Sequence, residues 1–436
     1  MTDPAKKQGF YGWALLPILC IVYSVPIGFA LYSPPVIYQF MTKDLHWQRG
    51  EINLGYTIIG LVLGLSAPLT VWLIHRLGPR RTLTIGGIVT ALASVLMAVF
   101  GNLYPVYLVL CFFVGLGIAF ASVLPIQTLV IYWFNARRAL AMGIVLGGGA
   151  LGGFIYPQLV SAGITGFGGD WRIGWDIVAF ADFIVAIISL ILVRNQPADL
   201  GQHPDGLSPE QLHAAQQHAR HRLIRTYRSP VNWKVADALK TRALWFLIVA
   251  VGLIFFLWQA VLTQTPFHLR DRGFVSTDPS MFFRPEFIYG LIIFCSVIGR
   301  LSVSFLGELI ESRLLLAISG SSLLIGGILF WIASKEALWA VYLFPLLVGF
   351  GFGATYVSTP LITGNYFGAR AFAGISGITN PINSVFQFSA PFIAGMLYDI
   401  NGNYDLAILI GCAGALVGTI LILFCKPPKP ATPIPT

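Results

Sequence analysis

The chain is expected to be an all-α membrane protein with twelve transmembrane helices in two six-helix bundles, and three observations carry that expectation. Of 436 residues, 56% are hydrophobic and only 10% charged, with a mean hydropathy of +0.77, too apolar for a soluble globule of this size. Twelve apolar runs are long enough to cross about 30 Å of hydrocarbon at about 1.5 Å of rise per residue. They are continuous rather than alternating, so strands are not expected. Finally, one long polar stretch, Asn195 to Lys240, divides six runs from six.

The spans begin near Trp13, Ile52, Leu83, Tyr104, Ala139 and Ile173, then near Ala243, Phe287, Leu314, Leu338, Phe372 and Tyr404. This gives an N-terminal bundle over 1–194, a linker over 195–241 and a C-terminal bundle over 242–436. Pro34-Pro35 after Tyr32 should interrupt the first span and leave backbone carbonyls free, because proline has no N–H and clashes with the preceding turn. Gly60 and Gly64 in the second span, and Gly349, Gly351 and Gly353 in the tenth, are surfaces on which another backbone can come close. The fifth span is the extreme case, with Gly143, Gly147 and Gly148 followed by Gly149, Gly152, Gly153 and Pro157. It is expected to let helices slide or rock. It is not a phosphate loop, since the Lys-Ser/Thr end is missing. In the linker, Pro204, Pro209 and Pro230 break the chain, and Glu210 to Tyr227 could form a surface amphipathic helix.

Basic residues set the orientation. With both termini cytoplasmic, nineteen of the 27 Lys and Arg residues lie on the cytoplasmic side and seven on the other. The first group includes Arg76, Arg80, Arg81, Arg137, Arg138, Arg313 and Arg370. The net charge of +9 therefore reflects topology, and nucleic-acid binding is not implied. The first span follows Lys6 and Lys7 but is too long for a signal-peptide core, so it should remain as a helix. Five cysteines show neither a disulfide framework nor metal-ligand spacing. His213, His218 and His221 are better read as a hydrated linker than as a metal site. No cofactor is expected, and without paired acids or a Cys-His couple in the spans an enzyme is not expected either.

The one residue left without an ordinary explanation is Arg300, deep in the eighth span. A guanidinium there costs about 2.5–3.5 kcal/mol on insertion scales and cannot lose its charge. It should therefore face a polar cavity and await an anion. Ser296 and Ser304, four residues to either side, share its helix face. Other polar stripes are neutral: Asn380, Asn383 and Gln387 on the eleventh span, Gln259 and Thr263 on the seventh, Tyr356, Thr359 and Thr363 on the tenth, and Gln127 on the fourth. Each suits a cavity wall or a hydrogen bond between helices. Tyr32 joins them at the first-span break. Asp182 in the sixth span and Glu286 beside Arg284 are weaker candidates for carrying a proton. Asp182 is better explained by a bond to a neighbouring helix, and Glu286 by an interfacial ion pair.

Several motifs carry a resemblance that covers nearly the whole chain. His75-Arg76-Leu77-Gly78-Pro79-Arg80-Arg81 resembles the Asp-Arg-x-Gly-Arg-Arg loop signature of the major facilitator superfamily, with His75 in place of the aspartate. Phe10-Tyr11-Gly12-Trp13 and the run from Trp133 to Gly143 resemble the first- and fifth-span signatures of the monocarboxylate transporter family. Pro197-Ala198-Asp199-Leu200-Gly201 with Pro204-Asp205-Gly206 is similar to the linker of its bacterial branch, which is related to the oxalate:formate antiporters. Phe134-Asn135-Ala136-Arg137 is echoed by Phe367-Gly368-Ala369-Arg370, as two-bundle transporters show in sequence.

The resemblance implies a major facilitator fold in a cell inner membrane, with Gly78, Arg80 and Arg81 in a gating or packing loop. It places Arg300 on the arginine that binds the substrate carboxylate. It puts Ser296 and Asn383 where animal relatives carry acids. The function it implies is secondary transport of a small monocarboxylate such as lactate or pyruvate, with a proton, by alternating access and as a monomer. The alternative is an anion exchanger of the oxalate:formate type. A channel or a membrane sensor fits less well, since two paired bundles suit alternating access and no signalling domain is appended.

Overall fold

The computed structural model describes residues 10–134, 138–206, 227, 229, 233–307 and 309–428, without the side chains of 138–140, 369, 370 and 373. The proposed linker helix, the three linker histidines, Glu308 and the residues Asn135 to Arg137 lie outside that description. Among the described residues, ten helical stretches are long and apolar enough to cross a membrane. Two long helices turn sharply at Gly78 and Gly368, and dividing them there gives twelve segments in the expected order.

The first bundle holds α1 (Tyr11–Leu45), α2 (49–77), α3 (79–100), α4 (Tyr104–Trp133), α5 (Arg138–Gly166) and α6 (Trp171–Leu192). The second holds α7 (Arg242–Asp271), α8 (Pro285–Leu306), α9 (Ser312–Ile332), α10 (Leu338–Gly368), α11 (369–401) and α12 (Asp405–Phe424). Local chemistry fixes the starts. Gln48 and Glu51 form a capping box at α2, Asp170 accepts from the Arg172 N–H at α6 and Thr241 from the Leu244 N–H at α7. Pro285 opens α8, where a missing N–H costs nothing.

Gly78 and Gly368 have nearly the same backbone, φ 80°, ψ 159° and φ 77°, ψ 163°. That left-handed geometry is open to glycine alone at little cost, and it joins α2 to α3 and α10 to α11 almost without a loop. Around Gly78 the turn is tied to its own bundle. The Arg80 N–H donates to Asn195 Oδ1 at 2.9 Å, and Arg80 Nε donates to the Leu190 carbonyl at the end of α6 at 2.9 Å. Arg81 and His75 are exposed.

Large apolar side chains such as Leu92, Phe180 and Phe305 face outward, as they should toward lipid. The two bundles meet along a seam at the end far from the chain termini. There a Cβ on Gly395 in α11 would lie 2.6 Å from the Arg49 carbonyl, and one on Gly290 in α8 would lie 2.8 Å from the Phe154 carbonyl of α5. At the opposite ends the described glycines of α5 make no contact across the seam, and we read these ends as splayed. Gly143 and Gly147 have open space where a Cβ would point, so the close helix contact expected of them is not made in this conformation. Gly148 meets Cys20 of α1, inside its own bundle. The seam contact sits further along α5, at Gly153, whose Cβ would come within 2.7 Å of Ile293 on α8.

Candidate functional site

Arg300 is placed by small residues. Gly299 backs onto the Phe350 carbonyl and Gly353 onto the Ser296 carbonyl, so α8 and α10 lie backbone against backbone on either side of it. The guanidinium is thereby held near the rings α10 presents, 5.2 Å from the centre of Tyr356 and 5.9 Å from that of Phe352. Phe352 is itself fixed by stacking on Trp258 of α7 at 3.7 Å. Such rings favour a cation over bare hydrocarbon by about 0.5–2 kcal/mol. They do not neutralise it. Among the described residues no carboxylate pairs with Arg300, and its buried Nε has no hydrogen-bond partner.

The flanking serines do not point a ligand site at the guanidinium. Ser296 is fully buried and donates to the Ile293 carbonyl at 2.6 Å, while exposed Ser304 donates to the Arg300 carbonyl at 2.9 Å. Each satisfies its hydroxyl on its own helix, so the expected three-residue stripe is reduced to its arginine. Across the seam, Tyr23 and Tyr32 of α1 lie within electrostatic range of Arg300. Tyr356, beside the guanidinium, is 40% exposed in the middle of a bundle helix.

The break in α1 is wider than Pro34-Pro35 alone predicts. A π-helical turn runs Pro26–Leu31, and Ser33 donates to the Gly28 carbonyl at 2.9 Å. The freed carbonyl of Tyr32 accepts from the hydroxyl of Tyr289 on α8 at 2.7 Å. A backbone acceptor in the first bundle is thus held by a side chain of the second, one end of α8 away from Arg300.

The amide stripes form a second polar set. Gln387 Nε2 donates to Gln259 Oε1 at 2.9 Å, and Gln259 Nε2 donates to the Tyr56 hydroxyl of α2 at 3.4 Å, again across the seam. Asn383 is buried with Oδ1 unpartnered, and Asn380 is exposed. Gln127 is half-buried on α4. No hydrogen bond joins these three to Arg300. Thr263, Thr359 and Thr363 donate to carbonyls of their own helices.

The two acids separate. Asp182 is fully buried on α6 behind Gly87 of α3, and neither carboxylate oxygen has a partner. It lies inside the first bundle, away from the seam, and the expected bond to a neighbouring helix is not made. Glu286 is buried too, but at the seam. Its Oε1 accepts from Ser276 at 2.6 Å, and Ser276 in turn accepts from Arg270 at 3.0 Å, while Arg284 donates instead to the Asp278 carbonyl. The ion pair expected with Arg284 is replaced by this relay to Arg270, because Arg284 caps the approach to α8 and turns away.

Residues that sequence reasoning missed close the far end. Arg49 forms two hydrogen bonds with Asp271, at 2.7 and 2.8 Å, stacks on Tyr398 at 3.8 Å and donates to the Tyr404 hydroxyl at 2.9 Å. Asp399 accepts the backbone N–H groups of Arg49 and Gly50 at 3.0 and 2.6 Å. Every one of these contacts joins the start of α2 to the second bundle. Together they describe a two-bundle protein shut at the Arg49 end, with an unpaired guanidinium between α8 and α10.

Comparison with known proteins agrees with this geometry. The model of the Major Facilitator Superfamily matches residues 18–391. The chain is 25% identical over 419 residues to the probable transporter MCH2 of Saccharomyces cerevisiae, covering 93% of this chain and 80% of that one. It is 21% identical over 432 residues to monocarboxylate transporter 2 of Rattus norvegicus, covering 97% and 84%. Among solved structures, the nucleoside transporter NupG superposes with a TM-score of 0.71 at 14% identity, covering 94% of this chain and 99% of that one. A bacterial homologue of the lysosomal transporter Spinster, inward-facing and occupied, gives 0.65 at 14% identity, covering 98% and 95%.

Proposed function

The chain belongs to the Major Facilitator Superfamily, and from that premise we propose that it moves a small organic monocarboxylate such as lactate or pyruvate across the cell inner membrane, with a proton, by alternating access. That it is a secondary transporter of this superfamily, in a multi-pass membrane fold, follows from the family and the fold. The substrate, the proton and the membrane are our reading. The observation that carries it is the unpaired guanidinium of Arg300, with an unpartnered buried Nε, facing α1 across the seam.

The physical argument runs through the cost of that charge. While the cleft is open, water solvates Arg300. Closing the splayed end around an empty site would strip that water and leave a cation with no counter-charge, which is expensive in a low dielectric. A bound carboxylate, accepted in bidentate fashion by the planar fork, removes the penalty. The ligand then stabilises the occluded form more than the open one, and only such a difference can drive a conformational change. Among the described residues the spans hold a single unpaired arginine deep in the core, which supports one carboxylate rather than two. Tyr356 lies beside the guanidinium, Tyr23 and Tyr32 of α1 are close enough to feel its charge, and all three are suited to bind a keto or hydroxyl oxygen; Asn383, with Oδ1 free, and Asn380 are further candidates. Phe352 gives the pocket an apolar side.

In this reading the termini are cytoplasmic, residues 1–194 and 242–436 are the rocking units around the linker 195–241, and a monomer suffices. A specific observation favours the second reading, anion exchange as in the oxalate:formate antiporters. With Ser296 and Asn383 where animal relatives carry acids, no carboxylate among the described residues sits beside Arg300 to take a proton when the anion leaves. An arginine that can be discharged only by another anion is an exchanger's site. Uptake of a panel of labelled acids into proteoliposomes, with and without an imposed pH gradient and with and without an internal anion, tests both readings together. Uptake of lactate or pyruvate driven by the gradient alone supports symport. Uptake that needs internal anion supports exchange, and no uptake of any monocarboxylate rejects both.

A further inference from the structure

A groove of about 360 Å³ lies where the start of α7 meets the end of α12, at the splayed end of the molecule and on its flank. Its walls include Thr241, Arg242, Phe246, Phe424 and Lys426. The two helix ends are pinned together beneath it by Cys425 Sγ donating to the Ala243 carbonyl at 3.3 Å, and Arg313 of α9 holds the end of α12 through the Leu423 carbonyl at 3.3 Å. It is therefore a built feature of the second bundle and does not depend on the seam.

We propose that this groove binds the phosphate headgroup of an anionic membrane phospholipid. Charge is the first reason. Arg242 and Lys426 are both exposed, neither is in an ion pair among the described residues, and no acidic side chain is among the residues lining the groove. The acid nearest Arg242 along the sequence, Asp237, is paired with Lys240 at 3.2 Å. The second reason is the start of α7, a 30-residue helix whose first N–H groups have no acceptors within the helix; Thr241 takes only that of Leu244. Backbone donors and two cations thus converge on one mouth.

Position and lining choose a lipid over free phosphate. α7 begins at Arg242 and α12 ends at Phe424, so the mouth stands at the boundary between hydrocarbon and headgroups. Phe246 and Phe424 are 36% and 67% exposed beside it. They offer an apolar wall to an acyl chain, a surface that a free anion would not use. Trp245 is exposed next to them, with its indole N–H donating to the Leu239 carbonyl at 2.8 Å, as aromatic residues do at that depth. Basic pockets at helix ends on the cytoplasmic face recognise headgroups in this way.

The test uses the purified full-length chain in a neutral detergent, with bound lipid counted by native mass spectrometry and stability followed by thermal unfolding. Phosphatidylglycerol, phosphatidylcholine and inorganic phosphate are added separately. The wild type should retain and be stabilised by phosphatidylglycerol, and the double variant Arg242→Gln, Lys426→Gln should bind it about tenfold more weakly or worse. The charge-keeping pair Arg242→Lys, Lys426→Arg should bind as the wild type does, which separates lost charge from lost folding. Equal retention by the Gln double variant overturns the proposal, as does equal retention of phosphatidylcholine, loss of binding in the charge-keeping pair, or the same stabilisation by inorganic phosphate alone.

Discussion

Arg49 and Asp271 are 222 residues apart in the chain and are joined by two hydrogen bonds at 2.7 and 2.8 Å, one partner at the start of α2 and the other at the end of α7. A planar fork on a carboxylate is the strongest common form of side-chain pairing. Here it also spans the two bundles, so it is present only when this end is shut. Both groups are partly exposed, at 16% and 34%, and water screens them, which keeps the pair's worth to about 1 kcal/mol.

The first prediction follows from that pair. Arg49→Gln should move the population toward the opposite opening by about fivefold, the equivalent of about 1 kcal/mol. Spin labels at Lys43 and Asn403, exposed positions on the two bundles at this end, would report it as growth of the long-distance peak. An unchanged distance distribution would show that Asp399 on the α2 backbone suffices to hold the end shut.

Arg300 supplies the second. Arg300→Ala and Arg300→Gln should lose carboxylate binding, and Arg300→Lys should restore little of it, because a point charge cannot make the bidentate contact. Thermal stabilisation of detergent-purified protein by lactate measures this directly. A full wild-type shift in Arg300→Ala would remove the residue from the site. The geometry adds a sharper expectation for Tyr356→Phe, which keeps the ring beside the guanidinium but removes a hydroxyl. It should weaken binding of a keto or hydroxy acid by about fivefold, the worth of one hydrogen bond, and leave acetate unaffected.

What the sequence revealed and what it hid divide along one physical line. A single helix announces its own breaks and faces: Pro34-Pro35 marked the interruption in α1, and the spacing of Gln387 from Asn383 their shared side. Which helix that side meets is a different kind of information. Gln259 and Gln387 bond across 128 residues and Arg49 and Asp271 across 222, and nothing in either local sequence encodes the partner. The π-helical turn at Pro26–Leu31 was missed for the same reason: a proline predicts that a helix is disturbed, and packing decides how. Serines were over-read. Ser296 and Ser304 share a face with Arg300, yet each bonds to its own helix backbone, an option that periodicity cannot see.

The glycines give the third prediction. Gly147 was expected to be the tight contact, but the structure moves that role to Gly290, where a methyl group would meet the Phe154 carbonyl of the opposite bundle at 2.8 Å. Overpacking of this kind costs about 1–3 kcal/mol, and here the cost falls only on the conformation shut at the Arg49 end. Gly290→Ala should therefore shift the population away from this conformation by about fivefold or more and slow transport, while the contacts of lactate with Arg300 stay in place. Gly147→Leu, which points into open space here, should leave this conformation intact and impede closure of the splayed end. Binding and uptake assays on the same preparations separate these outcomes from misfolding, which would lower both together.

The fourth prediction concerns the driving force. A carboxylate moved alone against an inside-negative potential costs about 2.3 kcal/mol per 100 mV, whereas one proton travelling with it makes the cycle electroneutral and removes that cost. The charge of Arg300 must be solvated or compensated for the empty carrier to return. The described residues place no acid beside it, while Glu286, a carboxylate at the seam, is buried at the shut end and engaged with Ser276. Symport then requires the proton to enter with the anion itself or through water in the open cleft. With the membrane potential clamped at zero, an inward proton gradient should drive lactate accumulation in the wild type, and Glu286→Gln should preserve at least half of it because that side chain lies off the path to Arg300. Accumulation that ignores the gradient and appears only with a preloaded counter-anion would reject symport and assign the chain to exchange. Loss of gradient-driven uptake in Glu286→Gln, with anion binding intact, would instead make the seam carboxylate the proton carrier.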